Sequence, residues 1–153
     1  MSNLWKLPVR IKVYEALGAL ADERLQLISS SRGTVTSSSG NKTYDVIYTP
    51  KTNEINTNDN ASYWQGYLWY PALAFLMKIG LLPFDESLAS SLKGIAWKEI
   101  NQKFKNDFSK TECYIYQTAP QQQLELFAAK TISKLESLKL IKPLKRLIPP
   151  KGY

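Results

Sequence analysis

Between Arg24 and Thr57 the apolar residues recur every second position, in runs too short and too closely spaced for crossover connections. Leu25–Ile28, Thr34–Thr36, Thr43–Thr49 and Glu54–Thr57 are the strand candidates. In the third, Tyr44, Val46 and Tyr48 alternate with Asp45, Ile47 and Thr49. The links are turn chemistry: Ser29–Gly33, then Ser37–Asn41, then Pro50–Asn53, with proline suited to position i+1 of a type I turn. Parallel neighbours need a crossover of a dozen or more residues, so the stretch predicts an antiparallel meander. Leu25, Leu27, Tyr44, Val46 and Tyr48 are expected on its covered face.

Helical spacing brackets this region. Pro8–Ala21 carries Val9, Val13, Leu17 and Leu20 on one stripe. After Thr57, Asp59 or Asn60 suits an N-cap, and Pro71–Ile79 is strongly apolar and ends at Gly80. Asp85 caps a turn through Leu92. Ala96–Phe108 reads as one helix with Trp97, Ile100, Phe104 and Phe108 inward. Pro120–Leu140 is the longest candidate, after which Pro143, Pro149 and Pro150 prevent regular continuation. The fold expected is α+β: an N-terminal helix, a three- or four-stranded antiparallel meander, then three or four packed helices. Residues 1–142 form one domain, and 143–153 a proline-rich basic tail.

A chain of 153 residues with 44% hydrophobic residues can bury a full core without staples. It has no histidine and a single cysteine, Cys113, which removes Ser-His-Asp and Cys-His catalysis, zinc clusters and intrachain disulfides. Gly40-Asn41-Lys42-Thr43 fails phosphate-loop spacing, because Asn41 separates glycine from lysine and a strand follows. Two Ser-x-x-Lys matches, Ser39–Lys42 and Ser90–Lys93, lack their partner motifs. The pairs Asp22-Glu23 and Asp85-Glu86 sit where a helix ends or begins, and Asp85-Glu86 suits capping a helix N-terminus better than catalysis. Neither a cofactor nor a metal is expected. No run approaches the ~20 apolar residues of a membrane span, and the first eight residues lack a signal-peptide pattern, so a cytoplasmic protein is expected.

Two features point to partners. The net charge of +7 is unevenly placed: residues 1–129 leave +1, whereas 130–153 leave +6. Lys134, Lys139, Lys142, Lys145, Arg146 and Lys151 are therefore the expected contacts for an acidic partner, nucleic acid or protein. Leu140, Ile141, Leu144, Leu147 and Ile148 interleave with these cations. Such residues would strap the tail across this molecule or a second copy, and Pro143 disfavours an interfacial membrane helix. The second feature is aromatic. Tyr63, Trp64, Tyr67 and Trp69 are expected first to serve core and helix-to-sheet packing; as the alternative, with Asn58, Asp59 and Asn60, they wall a small-molecule pocket. No basic residue lies between Lys51 and Lys78, which argues against base stacking there. The first reading is a non-enzymatic binding protein acting through its basic end, and the alternative is a ligand-binding or enzymatic domain built on the aromatic cluster.

Overall fold

The computed structural model describes residues 3–151; Met1, Ser2, Gly152 and Tyr153, which belong to the expected leader-free start and basic tail, lie outside the described residues. The element order is α1 (Arg10–Ala21), β1 (Leu25–Ser29), β2 (Arg32–Thr36), β3 (Thr43–Thr49), β4 (Glu54–Thr57), a π-helical turn (Ala61–Gln65), α2 (Tyr70–Lys78), α3 (Glu86–Ser91), α4 (Trp97–Lys103), α5 (Phe108–Tyr116) and α6 (Gln121–Leu138). The strands form one antiparallel sheet in the order β1-β2-β3-β4, with Val35 opposite Leu25 and Tyr44, and Tyr48 opposite Ile55. This is the α+β arrangement that the alternating stretch predicts.

Two helices organise the core. Helix α2 is apolar on nearly every face and lies on the sheet, chiefly over β2 and β3, against Val35, Val46 and Ile55. Helix α1 packs against α2, α3 and α6 and is buried from Ile11 through Ala19. A helix apolar all round belongs inside a domain, yet α1 carries Lys12 and Glu15 into that interior. Leu27 departs from expectation. It lies on an edge strand that α2 only partly covers and, with a bulge between Leu27 and Ser29, it is left exposed.

The region 96–116 also differs from the sequence reading. A single helix over Ala96–Phe108 is broken into α4 and α5, because Lys105 and Asn106 both take left-handed backbone (φ 53° and 61°). The Asn106 N–H returns to the Asn101 carbonyl at 2.8 Å and closes α4 without glycine. Asp85 behaves as expected, its Oδ1 accepting from the Leu88 N–H at 3.0 Å at the start of α3.

The chain after α6 runs back along the outer edge of β4. Ile141 receives a hydrogen bond from the Ile55 N–H and donates to the Asn53 carbonyl, and the Trp5 N–H donates to Leu140. Side-chain amides extend the same line. Asn56 donates to the Lys145 carbonyl and accepts from the Leu147 N–H, while Asn58 donates to the Ile148 carbonyl. An otherwise open sheet edge is thereby covered by the chain's own end.

Candidate ligand-binding cleft

The link from β4 to α2 is built around one carboxylate. Asp59 is buried and accepts three hydrogen bonds: from the Ser62 hydroxyl (2.7 Å), the Ser62 N–H (3.1 Å) and the Thr57 hydroxyl (3.2 Å). These bonds favour the ionised form, but burial outweighs them and pushes the carboxyl above its ordinary range. The turn that Asp59 anchors is π-helical, one residue wider than an α turn, and such turns gather at functional sites. It closes on Gly66, which supplies the left-handed φ of 76°. The widened turn holds Trp64 outward, 73% exposed, with the Tyr63 ring edge-on behind it at 4.7 Å.

Trp64 stands on the rim of a cleft of about 660 Å³, within the range of small-molecule sites. Asp59, Asn60, Gln65, Trp69 and Tyr70 form one wall. The β2–β3 hairpin supplies Ser37, Asn41, Lys42 and Tyr44, and Trp97, Asn101 and Asn106 come from α4 and its end. Glu15 of α1 lies at the floor. There the Lys12 ammonium meets Glu15 at 2.6 Å, with both side chains almost wholly buried. The Asn101 amide donates to Glu15 at 3.4 Å and accepts from the Thr111 hydroxyl at 3.0 Å. Lys12 also lies over the Trp69 and Phe108 rings, at 4.8 and 4.7 Å.

Arg24, between α1 and β1, completes the wall. Its Nη1 donates to the Thr36 carbonyl at 2.7 Å, and its Nε lies 3.7 Å from the Asp22 carboxylate, too far for a hydrogen bond. Nε and Nη2 are enclosed and have no acceptor, and the Asn60 Oδ1 is enclosed without a donor. The Trp97 indole N–H also lacks an acceptor, but it faces α1, where a Cβ on Gly18 would come within 2.6 Å of it. The Tyr44 and Tyr70 rings meet edge-on at 6.4 Å. Burial raises the Tyr70 phenol well above its usual pKa, assisted by Tyr44 and Glu15 and opposed by Arg24.

Of the expected pocket residues, Asp59, Asn60, Trp64 and Trp69 line the cleft. Tyr63 and Tyr67 pack behind it, against Trp64 and Trp69 respectively. Asn58 is occupied elsewhere, accepting from the Asp45 N–H and donating to Ile148. Sequence reasoning missed Glu15, Arg24, Tyr44, Tyr70, Trp97 and Asn101. Lys12 and Glu15, three residues apart in a segment otherwise rich in apolar residues, were the available signal.

The basic end divides in two. Lys134, Lys139, Lys145 and Lys151 are exposed, and none of the six expected contacts is ion-paired to a carboxylate among the described residues. Lys142 is half-buried, and its backbone N–H donates to the Asn3 carbonyl. Arg146 is taken up by the protein itself. It donates to the Ser62 carbonyl at 2.8 Å, and its guanidinium lies 4.5 Å from the centre of the Trp5 ring and 5.8 Å from that of Tyr63. Burial lowers its pKa from the usual arginine value. The tail through Ile148 is therefore a strap, not a free arm.

No helix of the described residues is long and apolar enough to cross a membrane, and no group of three or more metal-ligating side chains gathers among them. Fold and cleft together define a small α+β protein with an aromatic rim over a polar floor, between a meander and its helices. The chain belongs to the family described as uncharacterised conserved protein UCP014422, whose model matches residues 5–141. That span contains every residue lining the cleft and stops before Lys142. No curated protein and no solved structure matches the chain.

Proposed function

We propose that this protein binds a small organic molecule in the cleft between the β2–β3 hairpin, the π turn and α4. The observation that carries the reading is the cleft itself, about 660 Å³ with the 73% exposed Trp64 on its rim; Arg24 and Asn60 in its wall also hold enclosed polar atoms without partners. An enclosed donor or acceptor left unpaired costs about 1–3 kcal/mol, a cost that an occupant or bound water offsets. The exposed Trp64 and half-buried Trp69 offer flat apolar surface, and the surrounding amides offer orienting hydrogen bonds. A fragment screen by NMR on isotope-labelled protein tests this. Compounds that bind should shift the signals of Trp64, Trp69, Asn60 and Asn101 together; shifts scattered over the surface, or none, would refute the reading.

A second reading, contact with a nucleic acid or acidic protein through the basic end, is favoured by the exposed and unpaired lysines of α6 and the tail. Replacing Lys134, Lys139, Lys145 and Lys151 by glutamine should leave the melting temperature in place. It should also weaken binding to a single-stranded oligonucleotide and flatten its salt dependence, by up to about 0.7 in slope for each phosphate no longer neutralised. Identical salt slopes for wild type and variant would refute it. Arg146 is left unaltered in that variant because its guanidinium is already engaged within the fold.

A further inference from the structure

We infer that the occupant of the cleft is a ring-bearing organic anion, its ring held by Trp64 at the rim beside Trp69 and its carboxylate or phosphate by Arg24. The inference rests on the proposal that the cleft is a ligand site, and adds the ligand's charge and shape.

Three arguments support the anion. First, the charges at the site do not cancel: Arg24, Lys42 and Lys98 line the cleft against the carboxylates of Glu15 and Asp59. Glu15 is matched by Lys12 at 2.6 Å, and Asp59 is wrapped by the hydroxyls of Ser62 and Thr57. Arg24 has only the Asp22 carboxylate, 3.7 Å from its Nε, while the exposed Lys98 adds positive charge at the rim. Second, the shortage is of acceptors. Arg24 commits Nη1 to Thr36 and has no acceptor for Nε or Nη2, the pair with which a guanidinium grips a carboxylate or phosphate in a fork. Because those atoms are enclosed, the guanidinium must turn towards the cleft to grip the anion. Third, a cationic occupant is disfavoured, since Trp69 already carries the Lys12 ammonium on its face at 4.8 Å.

The ring follows from the geometry of the rim. Trp64 is 73% exposed on a turn held by the buried Asp59. A rigid aromatic plate fixed in the open at the mouth of a cleft suits a flat ligand better than a flexible chain. Asn60, Gln65 and Asn106 lie near enough to orient polar substituents on such a ring.

The test uses matched probes that differ in charge: indole-3-acetate against indole-3-acetamide, and phenyl phosphate against phenol, with acetate and inorganic phosphate as ringless controls. Binding is read from the indole N–H signals of Trp64 and Trp69. Each ring-bearing anion is expected to bind at least tenfold more tightly than its neutral partner and than the ringless anion. Arg24→Gln should remove that preference, and Lys98→Gln should weaken it two- to threefold. Arg24→Lys, which keeps the charge but loses the fork, should retain only part of it and serves if Arg24→Gln does not fold. Equal affinity for charged and neutral members, or a preference that survives every Arg24 variant, would overturn the inference while leaving the cleft a ligand site. If no ring compound moves either tryptophan signal, the binding reading and the inference both fail.

Discussion

The Lys12–Glu15 pair lies buried at the cleft floor, and its removal has a calculable effect. At 2.6 Å, with side chains 6% and 5% exposed, the two charges attract by roughly 6 kcal/mol at an effective dielectric constant of 20. Taking both out of water costs a comparable amount, so the net contribution of the pair to stability is small, but breaking it is not. Glu15→Gln leaves a buried ammonium whose remaining support is the Trp69 and Phe108 faces, each contributing about 0.5–2 kcal/mol. The expected loss is about 3–5 kcal/mol, which for a domain of this size lowers Tm by roughly 6–20 °C. Urea unfolding, monitored by tryptophan fluorescence, should show the midpoint falling with an unchanged slope. The decisive variant removes both charges: Lys12→Met with Glu15→Leu should recover most of the loss, sacrificing the long 3.4 Å bond from Asn101 and the ammonium's contacts with the Trp69 and Phe108 rings. A single substitution costing less than about 1 kcal/mol, or a double variant no more stable than either single one, would refute the reasoning.

Other outcomes follow from the same geometry. Gly18→Ala should gain up to about 1 kcal/mol in helix propensity yet destabilise overall by roughly 1–3 kcal/mol, because the new methyl would lie 2.6 Å from the Trp97 Nε1; calorimetry and a shift in Trp97 emission check it. For Asp59 the folded-state pKa is raised above its ordinary 3.8. Its contribution is therefore most favourable below that value and is lost as pH rises towards the folded pKa. Asp59→Asn should flatten the stability–pH curve above about pH 4, and a curve of unchanged slope would count against the desolvation argument. Arg146→Gln should cost about 1–3 kcal/mol and speed amide exchange in residues 61–66, since Arg146 ties the strap to the Ser62 carbonyl; unchanged exchange there would show the turn to be independent of the tail.

The meander was legible because strand period and turn chemistry are local signals, and the Ser29–Gly33, Ser37–Asn41 and Pro50–Asn53 links delimit β1 to β4 within a residue or two. The break between α4 and α5 was not, since Lys105 and Asn106 adopt left-handed backbone without glycine or proline to announce it. The cleft was half legible. The aromatic cluster with its Asp59 and Asn60 neighbours is contiguous and could be read, whereas Glu15, Arg24, Tyr44 and Asn101 meet it only through the packing of α1, the sheet and α4. Tyr63 and Tyr67 fall into the expected pocket by spacing alone, which in an irregular segment says nothing about direction. The π turn and the isolated pairing of Lys6 with Tyr67 turn them away from it.

The asymmetric charge of the chain acquires a different meaning once its end is located. A +6 block suggests an arm held apart from the body, but the amides of Asn53, Asn56 and Asn58 fasten that segment to β4 much as a further strand would. The strap then delivers a cation to the π turn: Arg146 donates to Ser62, the residue whose hydroxyl and N–H bind Asp59, and it feels the Asp59 charge. The strap and the cleft are thus joined at Ser62 and Tyr63, on the turn that presents Trp64. Loosening the strap should change how Trp64 is held before it changes the core, because the strap bonds to Asn56, Asn58 and Ser62, whereas the buried face of the sheet is covered by α2. The side chains of the exposed Lys134, Lys139, Lys145 and Lys151 stay outside this linkage, so charge removal there and strap release at Arg146 separate a surface contact from a contribution to the pocket.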